Sequence, residues 1–348
     1  MTDKIRLAIL GCGAITRDSH LPAAVAIPGI RVAALVDSDF KRADTLRRSF
    51  GLDCKVTTDY QTILNEVDGI INALPNHLHV PVTLDAFRAG RHVLCEKPLA
   101  LTETDARTLC EAAQNKGLLL AVGMHMRFHP NHRVLRLAMD EGMLGAIEGY
   151  DWEHGGAWDW DTKSGFYFSR TQAGGGILID FGPHLLDRVI DWFGPVEQFD
   201  YQDDNWGGGI EANVLLRLTH SGRYGKVSGR LRLSRTYLVK NLLLVQGTQS
   251  TAELRLNGVD SVTLHRLIGG HDVSMALRLS DLPESRPNQC YFDQLNNFAE
   301  SIRGTQKPLV DGWQAMETIK LIEGCYAKAK RIPEPWAEVH GAPIGVNT

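Results

Sequence analysis

Three residues have types and spacing suited to acid–base chemistry on a hydroxyl or carbonyl group: Lys97, Asp180 and His184. An imidazole takes a hydroxyl proton, or returns it, while hydride leaves or joins the same carbon. An ammonium stabilises the alkoxide charge that develops and, in an apolar setting, can exchange the proton itself. Either His184 or Lys97 is thus the formal proton carrier. Asp180 and His184 stand four apart, so a single helix would put them on one face, with the carboxylate orienting the imidazole or holding Lys97 charged. Gly174, Gly175 and Gly176 precede that helix and Gly182 lies within it, helix-unfavourable choices that point to close approach by a ligand or by backbone.

A second set of residues suits a dinucleotide. The apolar run Ile5–Leu10 is followed by Gly11, Cys12, Gly13, Ala14 and Ile15, a strand, a glycine turn and the start of a helix. Gly11 permits the tight turn, and Gly13 lets the N–H groups of the helix start approach a pyrophosphate. Thr16 stands where a third small residue is usual, which would hold the helix slightly farther from the strand. The next run, Ile30–Val36, ends in Asp37, whose carboxylate would accept from the adenosine ribose diol and repel a 2′-phosphate. NAD rather than NADP is the expected cofactor.

The elements that must position these groups fall into two textures. As far as residue 124, β-rich runs (Ile5–Leu10, Arg31–Val36, Gly69–Ala73, His92–Cys95, Leu118–Val122) alternate with amphipathic stretches (Phe40–Phe50, Val80–Ala89, Thr104–Lys116). That alternation predicts a doubly wound parallel sheet. Beyond it come helices over Asn131–Asp140 and Ile177–Trp192 and then consecutive strands, Val196–Tyr201, Glu211–Thr219, Gly225–Leu233, Val239–Gln246 and Ala252–Leu256. Strands without helices between them predict a large, mostly antiparallel open sheet, and helices over Gln289–Arg303 and Asp311–Arg331 would cover one face. The expected class is α/β with two domains, 1–124 for the nucleotide and 125–348 for substrate and oligomer contacts.

Lys+Arg number 37 against 41 Asp+Glu, a formal net charge of −4 over 348 residues. Without a long block of like charge, nucleic acid and membrane surfaces are not expected partners. Six cysteines, none in a C-x-x-C pair, and an N-terminal apolar run of only six residues suggest a reducing, cytoplasmic setting. His125, His129 and His132 have ligand-like spacing, but Pro130 interrupts them and a lysine electrophile needs no Lewis acid, so no metal is expected. The segment from Trp152 through Trp158 and Trp160 to Phe166, Tyr167 and Phe168 is unusually aromatic. Such side chains stack on the apolar faces of a pyranose or cyclitol, or else pack a core or a dimer interface.

Three further segments, Leu74-Pro75-Asn76-His77-Leu78-His79, Glu96-Lys97-Pro98 and Gly174 through Asp187, follow Gly11-x-Gly13 in an order that resembles the Gfo/Idh/MocA family of oxidoreductases. The resemblance implies a Rossmann domain and an open α/β domain whose sheet forms a subunit interface, hence a homodimer or homotetramer. It implies that Lys97, Asp180 and His184 line the reaction site, that Pro75, Asn76, His79 and Glu96 lie along the cofactor, and that Arg127 stands near nicotinamide and substrate. The expected activity is hydride transfer between NAD(H) and a CHOH or C=O carbon of a sugar, nucleotide sugar or cyclitol, with Trp158, Trp160 and Tyr167 as further substrate contacts. The alternatives are a glycosidase that oxidises its sugar transiently with bound NAD, and a nonenzymatic NAD- or sugar-binding regulator.

Overall fold

A computed structural model of the chain describes residues 4–157, 165–205, 209–255, 261–280 and 288–332. Six strands, β1 (Ile5–Leu10), β2 (Ile30–Val36), β3 (Lys55–Thr57), β4 (Gly69–Asn72), β5 (His92–Cys95) and β6 (Leu120–Val122), form a sheet in the order β3-β2-β1-β4-β5-β6. Every pair in it is parallel. The crossovers carry α1 (Leu21–Ala26), α2 (Phe40–Ser49), α3 (His79–Arg88) and α4 (Glu103–Lys116). Strand order reverses between β1 and β4, which puts a binding crevice at their carboxyl ends. Thr102 caps α4 through the Asp105 N–H, and Gly117 closes it in the left-handed conformation.

Two apolar clusters line the two faces of this sheet, one around Leu10, Ile70, Phe87, Val93 and Leu109, the other around Leu7, Ile9, Leu21, Leu35 and Leu94. Neither is built from the first 124 residues alone. By packing, the chain divides into one unit of residues 1–128, 161–174 and 286–320 and another of 129–160, 175–285 and 321–348. Val310, Ala315, Met316 and Ile319 complete the first cluster, and Leu295, Phe298 and Ala299 the second.

The second unit contains α5 (Pro130–Asp140) and a nine-stranded sheet that starts with β7 (Ile147–Gly155). After the short helix α6 (Arg170–Ala173), which belongs to the first unit, come α7 (Ile177–Asp180) and α8 (Gly182–Phe193). The strands β8 (Val196–Asp203), β9 (Asn213–Gly222), β10 (Gly225–Ser234), β11 (Leu242–Gly247), β12 (Thr251–Arg255), β13 (Val262–Ile268), β14 (His271–Leu277) and β15 (Lys330–Arg331) complete the sheet. Its order is β14-β13-β12-β11-β7-β10-β9-β8-β15. Only β7 with β10 and β8 with β15 run parallel, so the sheet is mixed and mostly antiparallel. The last helices are α9 (Gln289–Ile302) and α10 (Gly312–Ala327).

One face of this sheet packs on α8: Trp152 and Tyr150 are buried, with the Trp152 ring 5.9 Å from Trp192 and Tyr150 stacked 4.9 Å from Phe193. The other face is charged. Because side chains alternate along each strand, Asp151 pairs with Arg230 and Glu153 with Arg232 there, beside Arg217 and Asp200. Trp152 is thus core packing, one of the two roles open to the aromatic segment.

Candidate functional site

The loops at the carboxyl ends of the parallel strands gather the nucleotide-half residues. Gly11 has φ +92, and a Cβ there would overlap the Ala73 carbonyl, so the β1 and β4 loops meet only because this side chain is missing. At Gly13 a Cβ would meet nothing within 4 Å, and Gly13, Ala14 and Ile15 are half-buried at a helix start whose first N–H groups have no helical acceptor. This half-open cradle fits a diphosphate. Thr16 is fully buried and its hydroxyl donates to the Gly11 carbonyl at 2.6 Å. The helix then passes through a π-type turn, Thr16–His20, before α1, a device that recurs at functional sites.

Asp37 is 5% exposed and accepts from the Cys12 N–H at 2.8 Å and the Asp39 N–H at 2.9 Å, with the Arg42 guanidinium 3.1 Å away. Pro75 leads a short turn in which the Asn76 amide donates to the Ala173 carbonyl at 2.8 Å. His79 is fully buried between two carbonyl oxygens, Pro98 at 2.7 Å and Leu74 at 2.9 Å, and so fastens the β4 loop to the Lys97 loop. Burial lowers its pKa against the pull of those carbonyls; a neutral ring donates to one of them at a time.

Glu96, 7% exposed, is the hub beside Lys97. One carboxylate oxygen lies 2.7 Å from His20 Nε2, and the other accepts the Lys97 backbone N–H at 3.1 Å. Burial alone would raise its pKa, but the His20 hydrogen bond and the charges of His20, Lys97 and His125 lower it below the usual carboxylate value. Gly123 leaves room for the carboxyl, since a Cβ there would stand 2.8 Å from it. Tyr291 stacks on His125 at 4.2 Å and meets His20 edge-on at 5.5 Å. Arg127, 6% exposed, sits in the adjoining turn His125–Phe128.

In the second unit Asp180 and His184 do not share one helix: α7 ends at Asp180 and α8 begins at Gly182, with Phe181 between. Pro183 in the first turn of α8 has no N–H to continue the ladder. The Asp180 carboxylate accepts from Arg235, at the end of β10, at 2.7 Å. His184 is 4% exposed and meets Phe181 edge-on at 5.6 Å. The glycines before α7 serve approach by the protein itself. A Cβ on Gly176 would overlap the Glu211 carbonyl, one on Gly175 the Tyr326 hydroxyl. The Glu211 side chain, 1% exposed, accepts from the Gly176 N–H at 2.8 Å, the Leu178 N–H at 3.0 Å and Tyr326 Oη at 2.8 Å. It therefore anchors the helix start that carries Asp180.

Tyr167 lies in the turn Phe166–Phe168, its ring 4.0 Å from Phe166; Trp158 and Trp160 lie outside the described residues. His129 caps α5 by accepting the Asn131 N–H, and His132 pairs with Asp191 at 2.9 Å. Among the described residues no group of three or more His, Cys, Asp or Glu could hold a metal, and no helix is long and apolar enough to cross a membrane.

His154, at the end of β7, lies face to face on Phe181 at 3.7 Å, and burial lowers its pKa from 6.5 to about 4. As pH falls through that window the unfolded chain takes up a proton that the folded chain refuses, so stability falls with pH. Denaturant titrations at pH 7.5 and 5 are expected to show this loss, smaller in His154→Phe. An equal loss in both proteins would exclude His154 as a source.

Residues 5–124 match a family model described as an oxidoreductase family, NAD-binding Rossmann fold, and residues 138–332 match the companion C-terminal alpha/beta domain. D-Glucoside 3-dehydrogenase of Escherichia coli is 34% identical over 191 residues, 53% of this chain and 53% of that protein, so the match spans about half of the relative's length. D-Apiose dehydrogenase of Paraburkholderia graminis is 26% identical over 334 residues, 93% of this chain and 87% of its own. A solved levoglucosan dehydrogenase, in complex with NADH and levoglucosan, superposes with a TM-score of 0.81 at 18% identity, over 94% of this chain and 98% of that one.

Proposed function

This chain belongs to the GFO_IDH_MocA family of oxidoreductases, and from that premise we propose that it transfers a hydride between NAD(H) and a CHOH or C=O carbon of a sugar, nucleotide sugar or cyclitol. Relatives named for action on a glucoside and on apiose support the substrate class. The observation that carries the reading is Lys97 at the carboxyl end of β5, with its backbone held by a buried carboxylate beside a half-open helix start. Bound NAD would accept or supply the hydride at its nicotinamide carbon. Gly11, Gly13, Ala14 and Ile15 would hold the diphosphate, Asp37 the ribose diol, and Pro75, Asn76, His79, Glu96 and Arg127 would shape the rest of the cofactor's bed.

In this reading the Lys97 ammonium stabilises the developing alkoxide, and His184 takes or returns the hydroxyl proton at a ring nitrogen. Asp180, oriented by Arg235, holds charge for that exchange. Trp158, Trp160 and Tyr167 would complete the substrate contacts. The test is an NAD⁺-reduction screen over monosaccharides, inositols and nucleotide sugars. Turnover of none of them, in either direction, would sink the reading. Release of a leaving group without net NADH would favour the glycosidase.

Asp37→Ser is expected to narrow the preference for NAD over NADP by at least about tenfold, because it removes a like charge and frees Arg42 to meet a 2′-phosphate. Unchanged kcat/KM ratios for the two cofactors would remove Asp37 from the role. We assign self-association, as a homodimer or homotetramer in the cytoplasm, to the charged face of the nine-stranded sheet, where the Arg217 and Arg230 side chains are 56% and 37% exposed. Arg217→Glu should shift the sedimentation profile toward monomer; an unchanged profile would place the interface elsewhere.

A further inference from the structure

His20 was invisible as a functional residue in the sequence, yet it is 0% exposed and sits on the π-type turn that continues from the diphosphate cradle. Its Nε2 lies 2.7 Å from Glu96, and its Nδ1 has no hydrogen-bond partner among the described residues. Among the described residues the one polar bond of this ring is therefore that to Glu96, with Nε2–H as donor. The other Glu96 oxygen holds the Lys97 N–H. Gly123 and the edge-on Tyr291 ring bound the same pair. A chain of two hydrogen bonds thus links the turn behind the dinucleotide loop to the backbone of the lysine.

We propose that His20 is a positioning residue: by donating to Glu96 it sets the backbone of Lys97 and registers that lysine to the helix that receives the dinucleotide. The inference rests on the hydride-transfer reading for its catalytic consequence, but not for its structural one. A buried acceptor that loses its donor is free to rotate or to take up a proton. Rotation releases the Lys97 N–H and protonation weakens its bond, and a displacement of about 1 Å at a reacting group reduces turnover by roughly a hundredfold.

The experiment compares His20→Leu, which keeps the bulk, with His20→Gln, whose amide places a donor near the position of Nε2. NADH affinity, kcat, KM and amide hydrogen exchange in the peptide containing Lys97 are measured for each full-length protein. In His20→Leu, kcat is expected to fall about tenfold to a hundredfold at little change in KM, a larger loss than in NADH affinity, to which Glu96 would also contribute, and Lys97 exchange accelerates. His20→Gln should restore much of the turnover and the protection. Gly123→Ala, which presses on the Glu96 carboxyl from the other side, should reproduce the loss with His20 intact. Wild-type exchange and turnover in His20→Leu would overturn the proposal, as would equal damage in the Gln and Leu variants. A wild-type protein that turns over no polyol brings down the enzyme reading alone, because the exchange measurement still judges the link from His20 to Lys97.

Discussion

Lys97→Ala is expected to lower kcat by about a thousandfold while NADH binds within a few-fold of the wild-type affinity. A single donor aimed at a developing oxyanion contributes roughly 10²–10³ in rate, and proton exchange in the transition state adds to it. In the proposed reading the ribose and diphosphate contacts go to Asp37 and the Gly13 loop and neither is asked of the ammonium, so cofactor affinity has no reason to follow. Single-turnover rates and NADH fluorescence titration on one preparation separate the two quantities. A rate within tenfold of wild type would take Lys97 out of the chemistry, and matched losses in both quantities would make it a cofactor ligand instead.

Gly176→Ala should be the most damaging small substitution in the second unit, destabilising it by about 3 kcal/mol. The new methyl overlaps the Glu211 carbonyl, which is backbone and accepts the Ile177 N–H at 3.0 Å. Pushing it away also strains the bonds from the Gly176 and Leu178 N–H groups to the buried Glu211 carboxylate, and a buried charge that loses donors is expensive. Urea denaturation followed by tryptophan fluorescence measures the loss. Wild-type stability would show that the turn relaxes freely and that Glu211 does not fix the start of α7.

The nucleotide half was largely legible because its runs obey simple patterns. Ile5–Leu10 and His92–Cys95 appear at the expected bounds, and α2 ends one residue earlier than its amphipathic stretch. Continuous apolar runs followed by Gly11 or by Glu96 and Lys97 have few readings once a parallel sheet is assumed. The second unit hid more. Strand β7 carries Asp151 and Glu153 on one face and Tyr150, Trp152 and His154 on the other, so alternation of apolar with polar residues is blurred by ion pairs to Arg230 and Arg232. The hairpin of β13 and β14 was missed although Gly269 and Gly270, with φ +58 and +83, suit its two-residue turn.

The hydrogen-bond partners of the candidate site residues were not readable. Asp180 and His184 were expected on one helix, but the helix is interrupted at Phe181, and the carboxylate accepts from Arg235, 55 positions away. Nothing local marks Arg235. Glu211 carried a faint signal, a lone carboxylate before the run Val214–Leu218, and His20 carried none beyond its place in the turn after Thr16. Thr16 was the reverse case: it departs from the glycine pattern, and the structure supplies the reason in its bond to Gly11.

The threading of the first unit has a consequence for synthesis on the ribosome. The cores around Leu10 and Leu7 wait for Val310 to Ile319 and for Leu295 to Ala299 before they close. A nascent chain that has emerged only to residue 124 presents strands whose apolar sockets stand open, and it must be sheltered until nearly two hundred more residues have followed. A gene fragment cut there should yield a sticky, exchange-prone product rather than an autonomous NAD module, whereas joining residues 286–320 back onto it by a linker restores the missing plugs.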